Sequence, residues 1–506
     1  MRGFFRKLFG SPKRRSANPA GQTPQQRALV RSRRIRAYYD AARTTNDNSR
    51  HWAAADNLSA NAANSLFVRR MIRQRARYEV ANNSYLKGQM LTLANDCIGT
   101  GPRLQLTTPR GEVNKRVERL FCEWAKAVHL AAKLRTMKQA KVIDGEAFAV
   151  FSTNRTLKSR IKLDITPIEC DRVTSPYGTY ASADVDGIEF DDEGNPRRYA
   201  ILRDHPGDFS GSLAYDWWQA QDVIHWFRED RPGQRRGISE LAPCLELHPM
   251  LRRYTLATLT AAETTADFAG VMQTNAPADE DNDQVATPFE TMELERGMMT
   301  QLPEGWQLGQ IDAKQPTTTY PMFKREVINE QARCILMPYN IAAGDSSSYN
   351  YASGRLDHQG YFKAINVDQD DDEIIVVDRI FERLVDEMMQ WPDLRALKSL
   401  DLDHQWVWHG TEHVDPLKEA NAQAIRLKNN TSTLAEEYAK RGQDYEEALA
   451  TIAKTLRLIK DLEEEYDVKF PTEGAGGAIA AAALDPDVLA ETVAESIRLA
   501  AHAPEH

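Results

Sequence analysis

The chain has 506 residues, 42% of them hydrophobic and 8% aromatic, enough for two or three domains with sizeable cores, which excludes disorder of the whole chain. A formal net charge of −9 makes the body a poor candidate for tight, static DNA binding, and no apolar run approaches the roughly 20 residues that span a bilayer. The five cysteines, Cys97, Cys122, Cys170, Cys244 and Cys334, stand far apart with no CxxC pair and no Cys/His cluster at zinc spacing, as expected of reduced, mostly buried thiols in a cytoplasmic protein without metal.

The first 50 residues are basic, with Lys13, Arg14, Arg15, Arg31, Arg33, Arg34 and Arg36 among them against only Asp40 and Asp47. Such an arm can lie on nucleic-acid phosphates or order against a neighbouring subunit. Its basic start lacks the apolar core and cleavage pattern of an export signal. From Asn57 to Asn95, Leu66, Met71, Tyr78, Leu86, Met90 and Leu93 recur at helical spacing among Arg and Asn, until Gly99, Gly101 and Pro102 stop the pattern. A second helix is predicted over Val113–Val128, with Leu120, Phe121 and Trp124 on one side.

Residues 144–228 then turn to strand composition. Strands are expected at Gly145–Phe151, Ile161–Ile165, Ile188–Phe190, Tyr199–Leu202 and Val223–Trp226, and Asp192-Glu193-Gly194-Asn195-Pro196 is a hairpin signal. This reads as a mainly antiparallel β region on a helical base. Helical pattern returns to about Phe268, with Pro243 and Pro249 implying a late start or a kink. Residues 270–316 form an insert rich in acids and prolines. A helix follows over Tyr320–Met337, ended by Pro338, and then a polar loop.

Beyond the loop a long helix is expected from about Arg355 to Met389, then a strand-like Gln405–Trp408. Helices fit Glu419–Lys428 and Leu434–Tyr438, the latter with a capping box between Thr433 and Glu436, and a charged helix fits Tyr445–Tyr466. The tail after Phe470 is Ala/Gly-rich and low in complexity.

Catalytic patterns are weak. Ser346, Ser347 and Ser348 follow Gly344-Asp345 without the GxSxG of a nucleophile elbow, and His358 is more simply a polar residue near a helix start than a base. Asp144, Glu146 and Asp164 admit a two-metal nuclease reading, although acids at alternate strand positions are common on solvated faces. Asp370-Asp371-Asp372-Glu373 lacks the glycine and spaced ligands of an EF-hand and reads as a solvated helix face. No GxxxxGK[ST] occurs, so the chain does not look like the motor ATPase of a machine.

Five stretches in this order resemble the lambda-like family of bacteriophage portal proteins: Asp96-Cys97-Ile98-Gly99-Thr100-Gly101-Pro102-Arg103-Leu104; Asp144-Gly145-Glu146-Ala147-Phe148; Asp222-Val223-Ile224-His225 leading to Arg236-Gly237-Ile238-Ser239; Ser348-Tyr349-Asn350-Tyr351-Ala352-Ser353-Gly354-Arg355; and Val414-Asp415-Pro416-Leu417-Lys418-Glu419-Ala420. The resemblance implies an α+β portal fold assembled as a ring of about twelve subunits at one capsid vertex, through which double-stranded DNA is packaged and ejected. On this chain it implies a basic arm at 1–50, a wing at 51–237, a stem helix at 238–269, a clip at 270–316, a second stem helix at 317–337, a tunnel loop at 338–353, a long wing helix and wing return at 354–424, a crown at 425–470 and a flexible tail at 471–506. Pro249 is unwelcome where the first stem helix should begin.

The implied partners are further copies of the chain, the terminase large subunit, the head–tail adaptor, and the major capsid and scaffolding proteins, with no membrane, no cofactor, no metal and no catalytic residue. The implied place is the virion, reached from the host cytoplasm during assembly. A loop facing moving DNA has to touch phosphate weakly and without sequence preference. Asp345, Ser346, Ser347, Ser348, Tyr349, Asn350, Tyr351 and Ser353 offer hydrogen bonds and smooth bulk without fixed positive charge, and Gly344 and Gly354 let the loop bend. Lys324, Arg325 and Arg333 on the preceding helix are candidates for transient phosphate contact, or equally for ion pairs between subunits. The alternative is a packaging nuclease that uses Asp144, Glu146 and Asp164 and cleaves DNA with Mg²⁺ or Mn²⁺.

Overall fold

A computed structural model describes residues 46, 49–175, 184–209, 212–267, 271–274, 306–309, 319–347, 349–395, 397, 402–408, 416–439 and 445–467. The chain divides into Met1–Ser59 and Ala60–His506. Most of the basic arm, most of the 270–316 insert, the Arg441–Asp444 turn and the tail beyond Phe470 lie outside the described residues. In the first unit the described residues make turns over 49–54.

The second unit begins with α1 (Ala60–Ala63), α2 (Leu66–Asn82) and α3 (Ser84–Ile98). The single helix expected over 57–95 is thus interrupted. Asn83 leaves helical geometry (φ −121°, ψ 114°), and its Oδ1 accepts from the backbone N–H groups of Tyr85 at 3.0 Å and Leu86 at 3.2 Å. An asparagine satisfies orphan N–H groups better at a helix start than in a helix interior, so it divides the periodic pattern there. α3 ends where Gly99 takes φ 53°.

β1 (Arg103–Leu106) leads to α4 (Gly111–Ala127), close to the expected helix, with Val117, Phe121 and Trp124 buried. α5 (Leu130–Asp144) has no counterpart among the sequence expectations. It buries Leu130, Leu134 and Met137 together with Lys138 and Lys141, and these inward lysines erase the apolar stripe that announces a helix.

The β region is antiparallel throughout its described strands, as expected. β2 (Glu146–Thr153) lies between β3 (Leu163–Ile168) and β8 (Val223–Phe227). A second sheet runs in chain order through β4 (Asp184–Val185), β5 (Ile188–Phe190), β6 (Pro196–Leu202) and β7 (Tyr215–Gln219), the last also absent from the expectations. β2 is buried on both faces. Ala147, Ala149 and Phe151 join the helical core, while Phe148 and Val150 pack with Ile188, Tyr199 and Ile201 of the smaller sheet. The hairpin signal is real: Gly194 has φ 93° and Asn195 N–H donates to Asp191 Oδ1 at 2.6 Å.

α6 (Leu247–Asp267) resolves the difficulty of Pro249, which is its third residue. In a first turn the missing N–H removes no helical hydrogen bond. β9 (Val271–Thr274) and β10 (Trp306–Gly309) pair antiparallel where the insert leaves and returns. α7 (Tyr320–Arg333) stops short of the expected Met337: Leu336 adopts φ 57°, and Met337 N–H turns back to Ala332 O at 3.2 Å.

The stretch read as a loop holds a helix of its own, α8 (Tyr339–Ala343), entered by Pro338 and closed by Gly344 at φ 65°. α9 (Tyr351–Asp372), a π-helical stretch at Glu373–Val377 and α10 (Asp378–Met388) then run continuously, matching the expected long helix to within a few residues. β11 (His404–Val407) pairs antiparallel with β1. α11 (Pro416–Lys428) crosses the expected wing–crown boundary at 424/425, α12 (Leu434–Ala439) carries the expected Thr433–Glu436 box, and α13 (Tyr445–Tyr466) ends the described residues. No helix among the described residues is long and apolar enough to cross a membrane.

Candidate functional site

Residues 338–353 start from two helix ends. Gly344 closes α8, and Asp345 then organises the turn. Its backbone N–H returns to Asn340 O at 3.1 Å, and its Oδ1 accepts Ser347 N–H at 2.9 Å. Hydrogen bonds from Ser347 hold the Asp345 carboxyl below its ordinary range. Asn350 starts α9 with a reciprocal box: its side chain accepts Ser353 N–H at 2.8 Å, and its own N–H donates to Ser353 Oγ at 3.2 Å. Gly354 therefore lies within a helix, and Gly344 alone of the two expected hinges supplies a left-handed turn.

Ser346, Ser347 and Asn350 are exposed, Asp345, Tyr349 and Ser353 half-buried; Ser348 and the Tyr351 side chain lie outside the described residues. His358 sits one turn further along α9 with Nε2 2.9 Å from Asn340 Nδ2. The arrangement is an amide–imidazole contact bracing α8 against α9. Removing the cap by Asn350→Ala should cost about 1 kcal/mol. The check is a urea-unfolding midpoint, with faster amide exchange at the start of α9.

The cations beside the loop are partly engaged. Arg325 lies over the rings of Tyr339 (4.9 Å) and Tyr349 (5.9 Å), and Lys324 over Tyr85 (5.0 Å). These contacts tie α7 to both sides of the polar segment. Arg333 is exposed.

The densest charge in the described structure is elsewhere. Arg69, Arg73 and Arg77 stand at i, i+4 and i+8 on α2, one face of the helix, and meet carboxylates from the β region. Arg69 pairs with Asp186. Arg73 reaches Asp171 at 2.8 Å and Glu146 at 3.2 Å, and Arg77 grips Asp144 through two bonds of 2.7 Å. Glu146, fully buried on β2, also receives Arg236 through bonds of 2.7 and 2.8 Å, the Gly237 N–H at 3.1 Å and His225 Nε2 at 3.2 Å.

Burial alone would raise the Glu146 carboxyl, but Arg236 and His225 overcome it and hold the group well below its ordinary value. Burial lowers the His225 imidazole, outweighing Glu146, so the ring is neutral near pH 7. Sequence reading noted only that this helix is rich in Arg and Asn and missed the ladder; the four-residue spacing of the arginines was its only signal, since the acids come from far along the chain.

The suspected nuclease triad is not assembled. Asp164 lies opposite Ser152, at the far end of β2 from Glu146, a separation of roughly 20 Å along the strand. Each acid is bound by a protein cation: Asp144 by Arg77, Glu146 by Arg236, and Asp164 by Lys133 at 2.6 Å. Among the described residues the grouping with ligand-like spacing is Glu169, Asp171 and His205, and there Arg73 and Arg77 already neutralise Asp171. The run 370–373 also departs from its reading as a solvated face. Asp370 and Asp371 are exposed, but Asp372 is buried against Lys138 at 3.2 Å, where burial pushes its carboxyl up to about 6. Lys138 and Lys141 also bind Asp368, at 2.6 and 3.1 Å, joining α5 to α9.

Two of the five stretches that carried the sequence resemblance meet here: Asp144–Phe148 and the stretch of His225 and Arg236–Gly237 form one buried cluster. Residues 45–369 match the family described as phage portal protein, lambda family. The chain is 24% identical over 485 residues to the probable portal protein of Halomonas phage phiHAP-1, covering 88% of this chain and 91% of the relative. Among solved structures it is similar to a chain in the neck of a native GTA particle computed with C12 symmetry (13% identity, 72% of this chain and 92% of that one, TM-score 0.42). A chain in the neck of an empty GTA particle computed with C6 symmetry is comparable (14% identity, 73% and 93%, TM-score 0.42). With the match running from before α1 into α9, the chain belongs to the lambda family of phage portal proteins.

Proposed function

We propose that this portal protein closes into a ring of about twelve subunits at one capsid vertex, and that double-stranded DNA enters and leaves through the channel of that ring. In this reading α6 and α7 are the stem and the insert between them is the clip, facing the terminase large subunit during packaging and head–tail adaptors afterwards. The wing meets major capsid and scaffolding proteins, and the helices from 425 onward form the crown. The segment 338–353 lines the channel, with Arg333, and Lys324 and Arg325 where their rings release them, touching phosphate transiently. Assembly takes place in the host cytoplasm.

The observation that carries this reading is the uncovered apolar surface of the stem pair. On α6, Leu256 and Leu259 are 58% and 55% exposed, away from the inward Leu251 and Thr258; on α7, Met322 and Phe323 are 69% and 51% exposed. Apolar groups on both helices of a pair suit the head-to-tail contact of a closed ring, in which two different patches of one subunit meet. The test is native mass spectrometry with negative-stain class averages of wild type and of Leu256→Asp/Leu259→Asp. A closed ring in the wild type, lost in the variant while its unfolding midpoint stays within about 1 kcal/mol, supports the proposal. A compact wild-type dimer that cleaves DNA with Mg²⁺ and loses this on Asp144→Ala overturns it in favour of the nuclease.

A further inference from the structure

Two cysteines that are 90 positions apart in sequence come together at the base of the stem pair. Cys244 lies just before α6 and Cys334 directly after α7, with Sγ atoms 3.2 Å apart. Cys244 is buried and Cys334 half-buried. His248, itself buried on the first turn of α6, places Nε2 3.5 Å from Cys244 Sγ.

The tautomer of that histidine follows from the helix cap described above. Asn83 Oδ1 is committed to Tyr85 and Leu86 N–H, which turns Nδ2 towards His248 Nδ1 at 3.4 Å. The amide donates, so Nδ1 accepts and the ring proton resides on Nε2, facing sulfur. Hydrogen bonding from Cys334, opposed by burial and helped by His248, lowers the Cys244 thiol to about 5, and the same contact with burial raises Cys334. The proton shared across the 3.2 Å contact leaves Cys244 more readily than Cys334, and the second thiol stands within reach of the first.

We infer that Cys244 and Cys334 are an oxidation site, a dithiol that a small peroxide converts to an intramolecular disulfide joining the two stem helices at their base. In the first step the Cys244 sulfur attacks one peroxide oxygen and the O–O bond breaks. The released hydroxide takes up the proton that Cys244 had given up and leaves as water, and Cys244 becomes a sulfenic acid. In the second step the Cys334 sulfur attacks the Cys244 sulfur. The S–S bond forms, the S–O bond breaks, and the hydroxyl leaves with the Cys334 proton as a second water. Two thiols are oxidised by two electrons, and one peroxide is reduced to two waters. A dithiol reductant reverses the change by exchange.

The covalent loop so closed contains α6, the whole 270–316 insert and α7. The disulfide would fix the two helices to each other at their base. A reducing cytoplasm keeps the pair open, and an oxidising exterior closes it. The chemistry stands whether or not the chain forms a ring; its use as a stem clamp rests on the function proposed above.

The test treats the full-length protein with hydrogen peroxide, alkylates remaining thiols and maps peptides by mass spectrometry. The expected result is loss of two hydrogens, a peptide linking Cys244 to Cys334, an upward shift of the thermal midpoint and reversal by dithiothreitol. Cys244→Ser and Cys334→Ser should lose the link, and Cys122→Ser, which removes the exposed thiol, should keep it. Full alkylation of both Cys244 and Cys334 in peroxide-treated wild type, or a link between any other pair, overturns the assignment. This readout does not depend on the variants folding or on the oligomeric state.

Discussion

Glu146→Ala is expected to lower folding stability by about 3–5 kcal/mol, because it removes one partner of a buried charge network and leaves the others without compensation. Arg236 is 2% exposed and Arg73 3%, so neither guanidinium can turn to water, and the Gly237 N–H loses its acceptor as well. Glu146→Gln keeps the volume but not the charge, and should fall between wild type and alanine. Because the folded carboxyl titrates below its ordinary 4.5, its stabilisation is complete above about pH 4.5 and is lost as pH falls through the lower folded value. Denaturant midpoints measured from pH 7 to pH 3 should therefore fall steeply for the wild type below pH 4.5 and less so for Glu146→Gln. Equal slopes would show that this carboxylate is not the ionised centre of the network.

Gly237→Ala is expected to destabilise by on the order of 3 kcal/mol, the upper end of overpacking. A Cβ there would lie 2.0 Å from Gly145 O and 2.6 Å from Gly145 C, and these are backbone atoms that cannot rotate aside. The reverse contact is equally close, since a Cβ on Gly145 would lie 2.3 Å from Ile238 C, at a residue that also has φ 92°. The two segments touch backbone to backbone next to Glu146, so any shift that relieves the clash also moves the Gly237 N–H off the carboxylate. Gly360→Ala is the matched comparison. Nothing lies within 4 Å of a Cβ there, and inside α9 alanine should stabilise by up to about 1 kcal/mol. The same substitution with opposite signs, read from urea midpoints, isolates the backbone contact; two similar values would refute it.

Local signals made much of this fold legible. Turn residues bracketing β-branched and aromatic runs located five of the seven strands between residues 144 and 228, and the Thr433–Glu436 box located a short helix start. What stayed hidden depends on distant partners. α5 was missed because Lys138 and Lys141 face inward to Asp368 and Asp372 on α9, which no local pattern reports. Glu146 was noticed as an acid beside another acid, and the metal reading followed; only folding brings Arg73, Arg236 and His225 to it. In the polar segment Asn350 and Ser353 spend their polarity on capping α9, which the composition of 345–353 does not report. The cysteines that look scattered in sequence include one pair in contact.

The pairing of β9 with β10 has a consequence for how such a chain can diversify. Thr274 stands opposite Trp306, so the segment between them leaves and re-enters the protein at points about 5 Å apart. A segment spliced between such neighbouring ends can lengthen, shorten or be exchanged for an unrelated one without pulling α6 and α7 out of place. The strand pair thereby lets the part of the gene it encloses change while the flanking helices keep their places.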